Sequence, residues 1–154
     1  MSRTQVADRL PELGSLYAAN CGTEPYEEDG RTRVFLRRLR SDIRRPGFAL
    51  LVAENETLTA FSYGFPLHAG FFEIRAIVVP HRVRAQSPGR DWNLARRLQR
   101  RLLLDHGHAT GLTLVDGADT RTLVALRSWG WRDTPPSPYR APPRDACRVL
   151  LLGP

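Results

Sequence analysis

Residues 44–80 read RRPGFALLVAENETLTAFSYGFPLHAGFFEIRAIVVP, and three strands are written in them. FALLVA (48–53) is an apolar run of strand length, and Glu54-Asn55-Glu56 is a polar turn. LTAFSYGFPL (58–67) is a second run, rich in aromatic residues. His68-Ala69-Gly70 makes another short connection, and FFEIRAIVV (71–79) is a third strand that Pro80 stops, since proline cannot donate to a ladder. Three apolar runs joined by two short connections predict an antiparallel meander.

Helices flank the meander on both sides. Upstream, residues 5–19 carry Val6, Leu10, Leu13, Leu16 and Tyr17 at helical spacing, with Pro11 starting or kinking that helix. Residues 31–45 set Phe35, Leu39 and Ile43 four apart, with seven arginines on the other faces, and Pro46-Gly47 ends this second helix. Downstream, a polar loop (81–90) leads into WNLARRLQRRLLLD (92–105), whose Leu94, Leu98 and Leu102 form one stripe. A strand at 112–116, a helix from about Thr120 to Trp129 closed by Gly130, a proline-rich loop (134–144) and a last strand, CRVLLL (147–152), complete the chain. The order is that of an α+β protein: one domain over residues 1–154, with a mixed sheet flanked by about four helices.

Composition narrows the function classes. The chain has 154 residues, too few for two well-packed domains, and a 42% hydrophobic content that excludes wholesale disorder. No apolar run approaches the roughly 18 residues that span a bilayer, and MSRTQVADRL lacks a signal-peptide apolar stretch. A soluble cytoplasmic protein with no membrane association is expected. Cys21 and Cys147 are too few for a disulfide framework or a four-ligand zinc site, and His68, His81, His106 and His108 show no metal spacing. The 23 basic residues outnumber 16 acidic ones, giving a net charge of +7, and every basic residue is arginine. A GC-rich coding sequence is one source of that bias. A phosphate-bearing partner is another, because the planar guanidinium donates two parallel hydrogen bonds and stays charged.

With these elements in order, the chain resembles the GNAT superfamily of acyl-CoA-dependent N-acyltransferases from about Pro11 to Trp131. RRPGFALLVAENETLTAFSYGFP (44–66) looks like the family's second helix running into its central hairpin. FFEIRAIVVP, an arginine-rich loop and a leucine-striped helix look like its next strand, cofactor loop and third helix. LTLVDGADTRTLVALRSWGWRDT (112–134) is similar to its following strand, fourth helix and small-aromatic turn, here Ser128-Trp129-Gly130-Trp131. No apolar run before Val6 supplies the family's first strand, which leaves the sheet to begin one strand late.

The resemblance implies acetyl-CoA or another acyl-CoA as co-substrate, its pyrophosphate held by backbone N–H groups at a helix N-terminus. The family's Arg/Gln-x-x-Gly-x-Gly/Ala pattern matches Arg90-Asp91-Trp92-Asn93-Leu94-Ala95, where Arg90 and Ala95 fit but Asp91 and Asn93 replace the glycines. A carboxylate about 4 Å from a phosphate costs on the order of a few kcal/mol at intermediate dielectric. Asp91 also reads as an ordinary helix-capping acid. The inserted Ser87-Pro88-Gly89 permits a register in which Gly89 meets the cofactor, and Arg82 and Arg84 are further phosphate candidates.

For catalysis, the resemblance places the carbonyl-binding N–H near Val78 and Val79 and a base at Glu73, the only acid on its strand. Glu73 reads equally as a solvated strand residue. The position of the family's acidic tyrosine is Leu126, and Asp119 stands for the asparagine that commonly precedes that helix. Tyr63 and Tyr139 are substitutes, although each also reads as a packing or rim aromatic. Three functions stay open: transfer from acyl-CoA to an amine of a small molecule or protein; transfer from an aminoacyl-tRNA; and a non-catalytic binding module. The tRNA would be bound through Arg31, Arg33, Arg37, Arg38, Arg96, Arg97, Arg100 and Arg101. Exposed strand edges in this fold also suit a homodimer.

Overall fold

The computed structural model describes residues 1–21, 28–79, 88–134 and 147–153. Three helices come first: α1 (Arg3–Asp8), α2 (Leu10–Cys21) and α3 (Glu28–Asp42). The single helix expected over residues 5–19 is therefore two. Ser2 and Gln5 form a reciprocal capping box at the first, and Arg9, ahead of Pro11, closes it. The meander follows as β1 (Ala49–Asn55), β2 (Thr57–Pro66) and β3 (Phe71–Val78), with a 3-10 turn at His68–Gly70. Then come α4 (Pro88–Asp105), β4 (Thr110–Asp116), α5 (Thr120–Ser128), β5 (Arg132–Asp133) and β6 (Cys147–Leu152). The two-residue β5 is too short to have a sequence pattern.

The six strands form one sheet in the order β1-β2-β3-β4-β6-β5. All neighbours are antiparallel except β3 and β4, which α4 joins as a parallel crossover. β1 is an edge of the sheet, and among the described residues no strand precedes it.

Helices cover both faces of the sheet, which is why β2 is buried from Ala60 through Phe65 and reads as a continuous apolar run. On one face Val6, Leu13, Phe35 and Leu39 from α1, α2 and α3 pack on Leu50, Phe61, Tyr63 and Val78. On the other, Leu102 and Leu103 of α4 and Leu123 and Leu126 of α5 pack with Phe72, Ile74, Val115 and Leu150. The two arginine-bearing helices, α3 and α4, consequently lie on opposite faces.

Two irregularities shape the centre of the sheet. Tyr63 pairs with Ala76 but Gly64 pairs with Ile74, so Arg75 is an extra residue, a bulge in β3. Gly64 is required there, because a Cβ would collide with the Glu73 carbonyl and approach the Phe72 ring to 2.7 Å. The second irregularity is that β3 and β4 pair only through Phe71–Thr110, Phe72–Gly111 and Glu73–Leu112. Beyond that point the strands separate.

Candidate active site between the separated strands

The separation opens a cleft of about 370 Å³ in the middle of the sheet. Ile74, Ile77, Val79, Val115, Leu126, Trp129 and Trp131 give it apolar walls, and Thr113, Asp116 and Asp119 line it with polar groups. The Thr113 hydroxyl donates to the Ile74 carbonyl at 3.0 Å, but among the described residues β3 has no strand partner toward β4 past Glu73. An unpaired strand edge between apolar walls suits an extended, amide-bearing chain, which completes the ladder as a strand would. A second cavity, of about 340 Å³, lies on the α2–α3 side among Tyr17, Val34, Phe35, Arg38, Tyr63, Arg75 and Ala76. Tyr17, Arg75 and Ala76 border both.

Arg75 is the electrostatic centre of the site. Its Nη1 donates to Glu73 Oε1 at 2.8 Å and its Nε to Asp42 Oδ2 at 3.2 Å. The same Asp42 oxygen accepts from the Tyr63 hydroxyl at 3.3 Å. Asp42 is only 2% exposed and Glu73 8%, so the two carboxylates need this guanidinium. Burial works against the charge of Arg75, yet Glu73 and Asp42 together hold its pKa above the ordinary value. Burial, reinforced by the Asp42 charge, raises the pKa of Tyr63.

Glu73 is thus not a solvated strand residue. It is buried and paired with Arg75, and neither cavity is lined by it. Tyr63 is buried at the floor of the second cavity. Asp119 caps α5: one carboxylate oxygen accepts from the Thr122 N–H at 3.1 Å and the other from its hydroxyl at 2.7 Å. Leu126 is a buried wall of the cleft. Val78 belongs to the core of the α2–α3 face, while Val79 lines the cleft.

The expected cofactor loop is displaced. α4 begins at Pro88, not at Trp92, with proline at the first helical position, where a missing N–H costs nothing. Gly89, Arg90 and Asp91 are the helical positions whose N–H groups have no acceptor four residues back within Pro88–Asp105, whereas those of Trp92, Asn93, Leu94 and Ala95 have one there. Leu94 and Ala95 also pack with Ala60, Val79 and Leu98. Only the start of the Arg90–Ala95 stretch retains the geometry expected of a phosphate loop. Arg82, Arg84 and Tyr139 lie outside the described residues.

The proposed phosphate-facing arginines do not share a surface. Arg31 and Arg38 line the cavity on the α2–α3 side. Arg97, Arg100 and Arg101 line a groove of about 510 Å³ between α4 and Leu51–Ala53 of β1, on the opposite face. Arg33, Arg37 and Arg96 are exposed.

Sequence reasoning missed Arg75, Tyr17 and Gln99. An arginine inside the otherwise apolar FFEIRAIVV was a usable signal for the first. Tyr17 stacks on Phe35 with centroids 4.1 Å apart, and its sequence position reads as core. Gln99 is fully buried and borders the cleft, which nothing in its polar helix indicated.

A sheet of this order, divided by a central cleft after a bulged strand, defines the GNAT class of fold, and solved structures agree. Aminoglycoside 6'-acetyltransferase type Ii superimposes with a TM-score of 0.70 at 15% identity, covering 99% of this chain and 94% of that one. PaiA N-acetyltransferase from Thermoplasma acidophilum, solved with coenzyme A, gives 0.69 at 10% identity, covering 95% and 93%. A GNAT-family protein from Desulfovibrio desulfuricans gives 0.66 at 16%, covering 95% and 92%. No protein-family model matches the chain, and curated protein sequences give no match. The chain therefore has the GNAT fold at sequence identities that carry the fold alone.

Proposed function

We propose that the protein is an N-acyltransferase that moves an acyl group, acetyl or a longer one, from coenzyme A to an amine. The observation that carries this reading is the unpaired edge of β3 facing an apolar cleft, beside the start of α4. In the reaction the amine nitrogen attacks the thioester carbonyl, the C–N bond forms and the C–S bond breaks. The sulfur leaves as thiol, and the ammonium form of the acceptor releases one net proton to solvent. Proximity carries much of the rate, since two bound reactants held in register avoid the entropy of encounter.

The residues fit coenzyme A. Gly89 and Arg90 at the head of α4 would receive the pyrophosphate, and the edge of β3 from Arg75 to Val78 would pair with the pantetheine amides. Glu73, the expected base, is better read as a positioning group that holds Arg75 against both cavities. The proton then passes to water in the cleft, with no buried carboxylate in contact with the amine.

Aminoacyl-tRNA is the weaker donor. Its phosphates would have to meet Arg38 and Arg97 on opposite faces of a sheet, and phosphate contacts work as one continuous surface. A homodimer would use an edge of the sheet as its seam. Acetyl-CoA titration followed by tryptophan fluorescence tests the donor, because Trp129 and Trp131 line the cleft. Saturable quenching together with thiol release in the presence of an amine is expected. No quenching and no thermal shift at millimolar acetyl-CoA would sink the reading.

A further inference from the structure

The second cavity has a charge that its fold alone does not dictate. Arg31, Val34, Phe35 and Arg38 form one stripe of α3, spaced three and four apart, and all four line it. Arg75 closes the opposite wall. Its two carboxylate partners, Asp42 and Glu73, lie behind it and are not part of the lining. Arg38 has no carboxylate partner among the described residues, and it is close enough to act electrostatically on the Tyr63 hydroxyl. Among the described residues the lining presents the Arg38 guanidinium beside aromatic faces, and no carboxylate lines it.

Resting on the transferase reading, we infer that the acceptor is a small amine that also bears a carboxylate, such as a free amino acid. Its anionic group is held by Arg38 beside Tyr63, and its amine is directed to Arg75 and Ala76, where the two cavities meet. Two consequences support this assignment. A carboxylate in the cavity gains a charge-assisted hydrogen bond at Arg38. The Arg38 charge also favours the neutral, nucleophilic amine over the ammonium, since like charges oppose protonation. Polycationic acceptors are excluded by the same field. This separates the chain from the aminoglycoside acetyltransferase whose fold it shares.

The test is a thiol-release assay with acetyl-CoA over matched acceptors: phenylalanine, phenylalanine amide, 2-phenylethylamine and kanamycin. A short peptide beginning with aspartate distinguishes a peptide carboxylate from that of a free amino acid. Phenylalanine is expected to exceed its amide about 10- to 100-fold in kcat/KM, the range for one charge-assisted bond. Arg38→Gln should remove that preference by lowering phenylalanine turnover far more than amide turnover, and Arg38→Lys should restore part of it. Equal loss for all acceptors in Arg38→Gln, or a preference for kanamycin, overturns the inference and leaves the transferase reading intact. If no acceptor turns over, thermal shifts with the same panel decide: a carboxylate-dependent shift lost in Arg38→Gln supports the inference, and none refutes it. Failure to bind acetyl-CoA refutes the transferase reading instead.

Discussion

Trp131 donates its indole N–H to Gln99 Oε1 at 3.0 Å, joining residues 32 positions apart at the buried side of the cleft. The indole can only donate, so this bond fixes the amide orientation and leaves Gln99 Nε2 as a buried donor without a partner among the described residues. The arrangement stabilises the junction between α4 and the segment after α5 while leaving one polar group unsatisfied.

Removing half of the pair should therefore cost more than removing both halves. Trp131→Phe strands the whole Gln99 amide and should lower stability by about 1–3 kcal/mol from that source alone. The double variant Trp131→Phe/Gln99→Leu should recover part of that loss. Urea midpoints at unchanged slope measure the difference, and a double variant less stable than the single would contradict it.

Asp42 and Glu73 share one guanidinium, and their contributions should be coupled. Asp42→Asn leaves Arg75 with Glu73, and its quarter-exposed side chain retains some solvent, so a loss of about 2 kcal/mol is expected rather than the 3–5 of a fully buried pair. Asp42→Asn/Glu73→Gln leaves the guanidinium without either carboxylate. Its loss should exceed the sum of the two single losses by more than about 0.5 kcal/mol; strict additivity would show that the two pairs act independently.

Tyr63 has its folded pKa raised, by burial and then by the Asp42 charge, above the tyrosine reference of about 10. Between the unfolded and folded values the unfolded chain has lost a proton that the native state keeps. The stabilisation is thus complete below about pH 10 and declines as pH rises beyond it. With no lysine in the chain, ammonium side chains do not blur that range. Absorbance titration at the tyrosinate band should lose its most alkaline component in Tyr63→Phe. Loss of a component near the reference value would refute this.

Gly64→Ala should be among the most damaging single-methyl additions. The new Cβ meets backbone at Glu73, which cannot swing aside as a side-chain tip would. A destabilisation of roughly 1–3 kcal/mol follows from overpacking alone. Because the strain falls on the bulge, acetyl-CoA affinity should drop even where the fold survives. Gly30→Ala, which meets nothing within 4 Å, is the control.

The elements were legible where burial is periodic. The meander, the stripe of α3 and the leucines of α4 each repeat at the spacing of the structure they form. The positions that make the cleft were not legible, because they depend on register. Nothing local says that Arg75 is the unpaired residue of β3, or that pairing with β4 stops at Glu73. The start of α4 was misplaced by four residues because Pro88 and Gly89 read as loop formers, while proline is well suited to a first helical turn. The arginines looked like one surface because a linear sequence does not record that a parallel crossover carries α4 to the other face.

The bulge at Arg75 gives the two cavities a common partition. Whatever occupies one side presses on the residue that shapes the other, so under the proposed transfer the affinities of the two sides are coupled at Arg75 and Ala76. Under the proposed transfer, a change confined to the acceptor side falls to Val34, Phe35 and Arg38, which line the second cavity alone, so the α3 wall is the adaptable half of the site and the bulged strand its fixed half.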